Sequence, residues 1–218
     1  MTDLESDIQV GRLRFAKNAS PLIRSVDFSG EQIGIGTNGI RVTDRMGRTH
    51  GIDRDAVTFE IIRKGQQFVE VRYKGKIELD SKSNIPFELS VGLPNSKSWF
   101  KATIEIDDPE SQVSMISFHT PLSFGEGRLV WDFGTDRWTY GSLREMGDSV
   151  RLTTDTDAEG DSEWTVAMTV DGETSLYEVS AGLSTVSGWG HLQGQDHVVA
   201  FGIDHFGREP GSYSMAVT

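Results

Sequence analysis

Cysteine is absent from the 218 residues. Disulfides, thiolate nucleophiles and cysteine-based zinc sites are therefore excluded. The absence also fits a reducing compartment. Long apolar runs are missing too, and nothing approaches the roughly 20 residues that a membrane-spanning helix needs. Positive charge is scarce: 21 Lys and Arg stand against 33 Asp and Glu, a formal net charge of −12. Nucleic-acid binding neutralises phosphates with clustered Lys and Arg, so this balance argues against it. No nucleic-acid or membrane partner is expected, and the excess acid serves solubility. The first residues, MTDLESDIQV, are acidic and polar, the opposite of a secretory signal. A chain that begins there is expected to be cytoplasmic.

Helical periodicity is the other thing lacking. No long stretch carries apolar residues at i, i+3, i+4 and i+7. Short alternating runs rich in Val, Ile, Thr, Phe and Tyr recur instead, among them AVTFEIIR, QFVEVRYKGKIEL, PFELSVGL, WFKATIEID, GRLVWDF and HVVAFGID. Gly, Asp, Asn, Ser and Pro separate them, the pattern of strands joined by turns. EWTVAMTV-DG-ETSLYEVS is the sharpest local signal. Asp171-Gly172 suits the positive φ angles of a two-residue hairpin turn, which sets Val166 opposite Tyr177 and Trp164 opposite Val179. RKGQQ (63–67) is a second turn. The expected fold is all-β with almost no helix: a large antiparallel two-sheet β-sandwich, of supersandwich or jelly-roll kind, as a single domain over 1–218. A strand-rich lead-in, 1–55, is the one candidate subdivision, bounded by THGIDRDAV (49–57).

Several motifs bear on chemistry. GIGTNG (34–39) fits G-x-G-x-x-G, but a dinucleotide site needs a helix to follow, and IRVTD alternates like a strand. A turn with positive φ at Asn38-Gly39 is the simpler account. DTDAEGDSE (155–163) spaces Asp155, Asp157, Glu159 and Asp161 at alternate positions around Gly160, like the first half of a calcium loop. The distal bidentate Glu is replaced by Val166, so a solvated acidic hairpin competes with a weak calcium site, and no other cofactor is expected. The five histidines show no metal spacing. His191 and His197 lie with Trp189 in SGWGHLQGQDH, and Trp131, Trp138, Arg137 and Tyr140 lie in WDFGTDRWTYGSLRE. Aromatic faces flanked by imidazole, carboxylate and guanidinium groups suit a saccharide, and Arg137 could pair with a uronate carboxylate. Core tryptophans beside charged turns would produce the same pattern.

GWGHLQGQDHVVAFGIDHFGREPGSYSM resembles a segment of the exo-acting rhamnogalacturonan lyases, the YetA-like polysaccharide lyase group. There a strand of small and apolar residues runs into an aspartate, an aromatic pair and a proline. Asp204, Phe206 and Pro210 stand in matching places, with His205 for the first aromatic and Ile203 where an arginine is common. VGRLRFAKNASPLIRSVDFSGEQI is similar to that family's lead-in, and FVEVRYKGKIELDSKSNIPFELSVGLPNSKSWFKATIEI to its central run of strands. The resemblance implies the family's central β-sandwich and a carbohydrate partner containing uronic acid. The helical toroid of whole family members has no counterpart here, so no catalytic residue is carried across.

Residue chemistry alone supplies candidates for β-elimination, which needs a base for the C5 proton, an acid for the leaving oxygen and a cation for the carboxylate. Tyr140, His191, His197 and His205 could be base or acid; Arg137 and Arg208 could be the clamp. A non-catalytic sugar-binding or assembly module would instead use Trp131, Trp138 and Trp189 as stacking surfaces. A structural protein that forms a homo-oligomer through its sheet edges is a third expectation. FGIDHFGREPGSY (201–213) is expected to be a strand end with Asp204 capping a turn, or a binding loop.

Overall fold

A computed structural model describes residues 1–28, 31–34, 38–80, 83–95, 97–121, 127–137, 139–144, 147–179, 185–195 and 197–217, without the side chains of 28 and 31–34. Two compact units divide the chain, Met1–Ser123 and Phe124–Thr218. Each has its own core.

In the first unit, β1 (Thr2–Asp3), β2 (Asp7–Val10), β3 (Leu13–Ala16), β4 (Ile23–Phe28) and β5 (Glu31–Gly34) form one sheet in chain order. β6 (Gly39–Asp44) and β7 (Thr49–Gly51) form a second. β8 (Thr58–Lys64), β9 (Phe68–Glu78), β10 (Asn84–Pro94) and β11 (Lys101–Ile106) form a third, and β12 (Val113–His119) joins β6 in the second. Strict alternation along β9 and β10 buries Val69, Val71, Tyr73 and Ile77 with Ile85, Phe87, Leu89, Val91 and Leu93. Each such side chain contributes about 1.5–3 kcal/mol on burial, so this hairpin dominates the first core. RKGQQ is the β8–β9 turn, closed by the Gly65 N–H on the Phe68 carbonyl at 2.9 Å. The segment 49–57 falls inside this unit: β7 pairs with β6, and Ile52 bridges Ile77.

Two buried polar residues pin this unit's turns. Residues 35–37 of GIGTNG lie outside the described residues. Asn38 is buried, and its side-chain amide takes the place of a strand partner for Ile23, accepting from its N–H at 2.9 Å and donating to its carbonyl at 2.7 Å. Asp44 organises the β6–β7 turn. It accepts from the backbone N–H groups of Met46 and Arg48 at 2.9 Å each, from Arg48 Nε at 2.8 Å, and lies 3.0 Å from His50 Nε2. Burial alone would raise its pKa; the hydrogen bonds from His50, Arg48 and Met46 outweigh that and hold it well below the usual carboxylate range. A depressed folded-state value stabilises the fold above the unfolded carboxylate value of about 4, and that contribution is lost as pH falls below it. Urea midpoints measured from neutral pH into acid should therefore fall for the wild type. Asp44→Asn should start lower and lose this part of the acid dependence; a parallel pH profile in both proteins would refute the assignment.

In the second unit, β13 (Leu129–Thr135), β14 (Tyr140–Leu143), β18 (Val186–Gln193) and β19 (Val198–Gly202) form a sheet in the order β14-β13-β18-β19. β15 (Ser149–Thr156), β16 (Ser162–Val170), β17 (Glu173–Val179) and β20 (Gly211–Val217) form another in the order β17-β16-β15-β20. Trp131, Phe133, Leu143 and Leu192 from the first share a core with Val150, Leu152, Trp164, Val166, Val179 and Met215 from the second. The β16–β17 turn has φ of 52° at Asp171 and 77° at Gly172. Trp164 lies opposite Val179 and Val166 opposite Tyr177, as the turn chemistry requires.

The all-β expectation, with almost no helix, agrees with this: a single 3₁₀ turn at Arg54–Ala56 is the helix among the described residues. The two-sheet sandwich does not. Five small antiparallel sheets of three to five strands replace two large ones. Most strands pair with their chain neighbours through short turns, so each sheet closes locally after a few strands instead of extending across the chain. Among the described residues no helix is long and apolar enough to cross a membrane.

Candidate functional site

The outer face of the β14-β13-β18-β19 sheet collects the residues with binding chemistry. Alternation sends Trp131, Phe133 and Leu192 inward, and the residues between them outward. Tyr140 lies opposite Asp132, Asp132 opposite His191, and His191 opposite Ala200. Phenol, carboxylate and imidazole thus stand in one row across three strands, with Cβ atoms of opposite residues about 5 Å apart. His191 Nδ1 is 3.9 Å from Asp132 Oδ2.

Trp189 sits two residues before His191 on the same face and is 45 % exposed. The two rings are nearly parallel, at 11°, with centroids 6.4 Å apart. Glycine makes room for this indole on the neighbouring strand β13. Gly202 is its direct partner on β19. On β13, a Cβ at Gly134 would come within 2.3 Å of the indole Cε2 and Nε1. Any side chain at 134 would therefore displace the ring.

The structure separates the other candidates. Trp131 is a correction: it points inward, is 4 % exposed and packs at 5.4 Å from Phe133, so it is a core residue and no surface stacking platform. Trp138 lies outside the described residues. Arg137 occupies the β13–β14 turn, with Nη1 3.5 Å from the Tyr177 hydroxyl. His197 closes the β18–β19 turn, its carbonyl accepting from the Gly194 N–H at 2.9 Å. His205 and Arg208 lie in the loop after β19, joined by an Arg208 N–H to His205 carbonyl bond of 2.9 Å. Of the six residues considered for elimination chemistry, Tyr140 and His191 share a row.

That loop is FGIDHFGREPGSY. Left-handed φ angles at His205 (58°) and Gly207 (65°) reverse the chain. The reversal drives Phe206 into the core, 3 % exposed and 5.6 Å from Tyr213. Thr156 Oγ1 donates to the Gly207 carbonyl at 3.0 Å and fixes the loop to β15. The stretch is a structural plug with a polar rim.

The carboxylates at 155–161 do not converge on a cation. Asp157 Oδ1 accepts from the Glu159 and Asp161 backbone N–H groups at 3.0 and 2.9 Å, Asp155 accepts from the Ser212 hydroxyl, and Glu159 is exposed. Among the described residues no group of three or more His, Asp or Glu side chains is placed to hold a metal. The segment is the β15–β16 hairpin turn, with φ of 89° at Gly160.

Asp132 and Gly134 are the site residues that sequence reasoning passed over. The available signal was WDFGT, in which an acid and a glycine alternate with two large aromatics. Comparisons of the chain with protein-family models, curated proteins and solved structures return no match.

Proposed function

We propose that this protein binds carbohydrate on the outer face of the β14-β13-β18-β19 sheet. One observation carries the reading: the exposed Trp189 indole, accommodated by Gly134, beside the Tyr140–Asp132–His191 row. The apolar face of a pyranose stacks on an indole, while carboxylate, imidazole and phenol exchange hydrogen bonds with its hydroxyls. Glycans containing uronic acid are the first to test, given the resemblance to the rhamnogalacturonan lyases.

Binding is favoured over cleavage. His197, His205 and Arg208 lie in turns, outside the Tyr140–Asp132–His191 row, and Arg137 turns to Tyr177. The test titrates rhamnogalacturonan and oligogalacturonate fragments into the full chain, following heat and tryptophan fluorescence, with ultraviolet absorbance recorded for an unsaturated product. Saturable binding without rising absorbance is expected. Trp189→Ala should weaken it at least about tenfold, as for a central aromatic contact. Rising absorbance would establish elimination instead. Equal affinity in wild type and variant would remove this face from consideration.

A further inference from the structure

In the first unit, β12 is an edge strand without the usual protection. It pairs with β6 and, among the described residues, with no second strand. Free N–H and C=O groups along an edge invite pairing, and proteins blunt such edges with charge, bulges or burial. β8 carries Glu60, Arg63 and Lys64 with a bulge between Ile61 and Arg63. β11 carries Lys101 and Glu105, and β17 carries Glu173 and Glu178. β20 is uncharged, yet its Tyr213, Met215 and Val217 pack on the second core. β12 has no Asp, Glu, Lys or Arg, and its bulge is confined to its start, between Val113 and Met115.

Its side chains continue a core face that ends too soon. Ile116 lies opposite Val42 and Phe118 opposite Ile40. Opposite residues share a face of the sheet. Val42 and Ile40 are buried in the first core, whereas Ile116 and Phe118, one strand further out, are 40 % and 42 % exposed. Phe118 is nevertheless held. Its ring packs edge-on against Phe100 at 6.1 Å, and Phe100 packs against the buried Phe15 at 5.2 Å. A fixed aromatic that is still partly exposed is suited to anchor an interface.

We propose that β12 pairs antiparallel with β12 of a second copy of this chain, about a two-fold axis through Ser117. In that register Ile116 faces the partner's Phe118, and Phe118 faces the partner's Ile116. Val42 and Ile116 then form one apolar row with the partner's Phe118 and the partner's Ile40, and the axis repeats the row. On the other face Ser117 meets the partner's Ser117, and Met115 meets the partner's His119. An axis through Ile116 would set Phe118 against the partner's Ser114 and break the rows. Charge selects a copy as the occupant. Each chain carries a net charge of −12, so two copies approach closely only along a strand that opposes no like charges. A basic partner would be drawn to carboxylates, which β12 lacks.

Sedimentation of the full chain tests this. One strand pair is a small interface beside the roughly 1,600 Å² of a standard one, so concentrations from about 1 µM to 1 mM are needed. A reversible monomer–dimer equilibrium is expected, and it should strengthen with added salt, which screens the repulsion between two acidic chains. Ser117→Glu should weaken the dimer at least about tenfold, because two carboxylates then face each other across the axis. Within its own chain the new acid lies opposite Arg41, so the monomer keeps its melting temperature. Ser117→Lys alone should also stay monomeric. An equimolar mixture of the two variants should associate again, since opposite charges then meet at the axis. The proposal is overturned by a monomer at every concentration, by a dimer that weakens with salt, by undiminished association of Ser117→Glu, or by a mixture that stays monomeric.

Discussion

Gly188→Ala is expected to cost the second unit about 3–5 kcal/mol, the range of losing a buried phenylalanine. Gly188 has φ of +71° in β18, a left-handed conformation that costs an L residue about 1–2 kcal/mol. The contacts add more. A Cβ there would lie 2.5 Å from Phe206 Cβ and 2.8 Å from the Ile203 carbonyl oxygen. Neither neighbour has an easy retreat. The Ile203 N–H donates to the Gly188 carbonyl at 2.8 Å, which locks the two backbones together, and Phe206 is buried in the core. Relief therefore requires Phe206 to leave its site. Gly172→Ala is the control: φ is +77° but nothing lies within 4 Å, so the backbone cost of about 1–2 kcal/mol stands alone. Urea unfolding of the full chain, followed by near-ultraviolet circular dichroism, should separate the two variants by at least about 1 kcal/mol. Equal losses would mean that Phe206 is not held where the structure places it.

The same region shows how far the amino-acid sequence determines what can be read from it. Local chemistry was legible wherever a turn dictated a register. Asp171-Gly172 set the β16–β17 pairing residue by residue, and the acidic run at 155–163 was readable as a hairpin because its glycine and carboxylates serve the turn itself. Sheet membership was not legible. Alternation tells which side chains share a face but not which strands share hydrogen bonds, so β13 and β18, some fifty residues apart, gave no sign of pairing. The two-sheet expectation failed for that reason.

Side choice failed in the same way at Trp131, whose sequence pattern matches that of Trp189. Both sit in alternating apolar strands, and periodicity cannot say which phase faces water. The difference lies in their neighbours: Trp131 faces Gly141 and Leu192 from within the core, whereas Trp189 pairs with Gly202 and its ring overlies Gly134 on the outer face. His197, His205 and Arg208 were attractive as reactive groups on residue chemistry alone. The left-handed residues at 205 and 207 show that His205 and Arg208 belong to a chain reversal.

Gly134→Ala should abolish most carbohydrate binding while leaving the fold nearly unchanged, which separates the Trp189 surface from general stability. Gly134 has no left-handed φ, so its backbone accepts alanine. Such a replacement typically shifts stability by no more than about 1 kcal/mol, in part by stiffening the unfolded chain. The added methyl group would nevertheless occupy space now filled by the Trp189 indole, 2.3 Å from Cε2 and Nε1. Because Trp189 is 45 % exposed, the ring can rotate outward at little cost. It would then lose its near-parallel arrangement with His191. A saccharide would meet a mobile indole in place of a fixed one and would have to order it on binding. The expected result is a loss of affinity of at least about tenfold, close to that of Trp189→Ala, at an unaltered melting temperature. The indole is still present in Gly134→Ala, so retained binding there together with lost binding in Trp189→Ala would show that the ring acts without the fixed orientation that Gly134 permits.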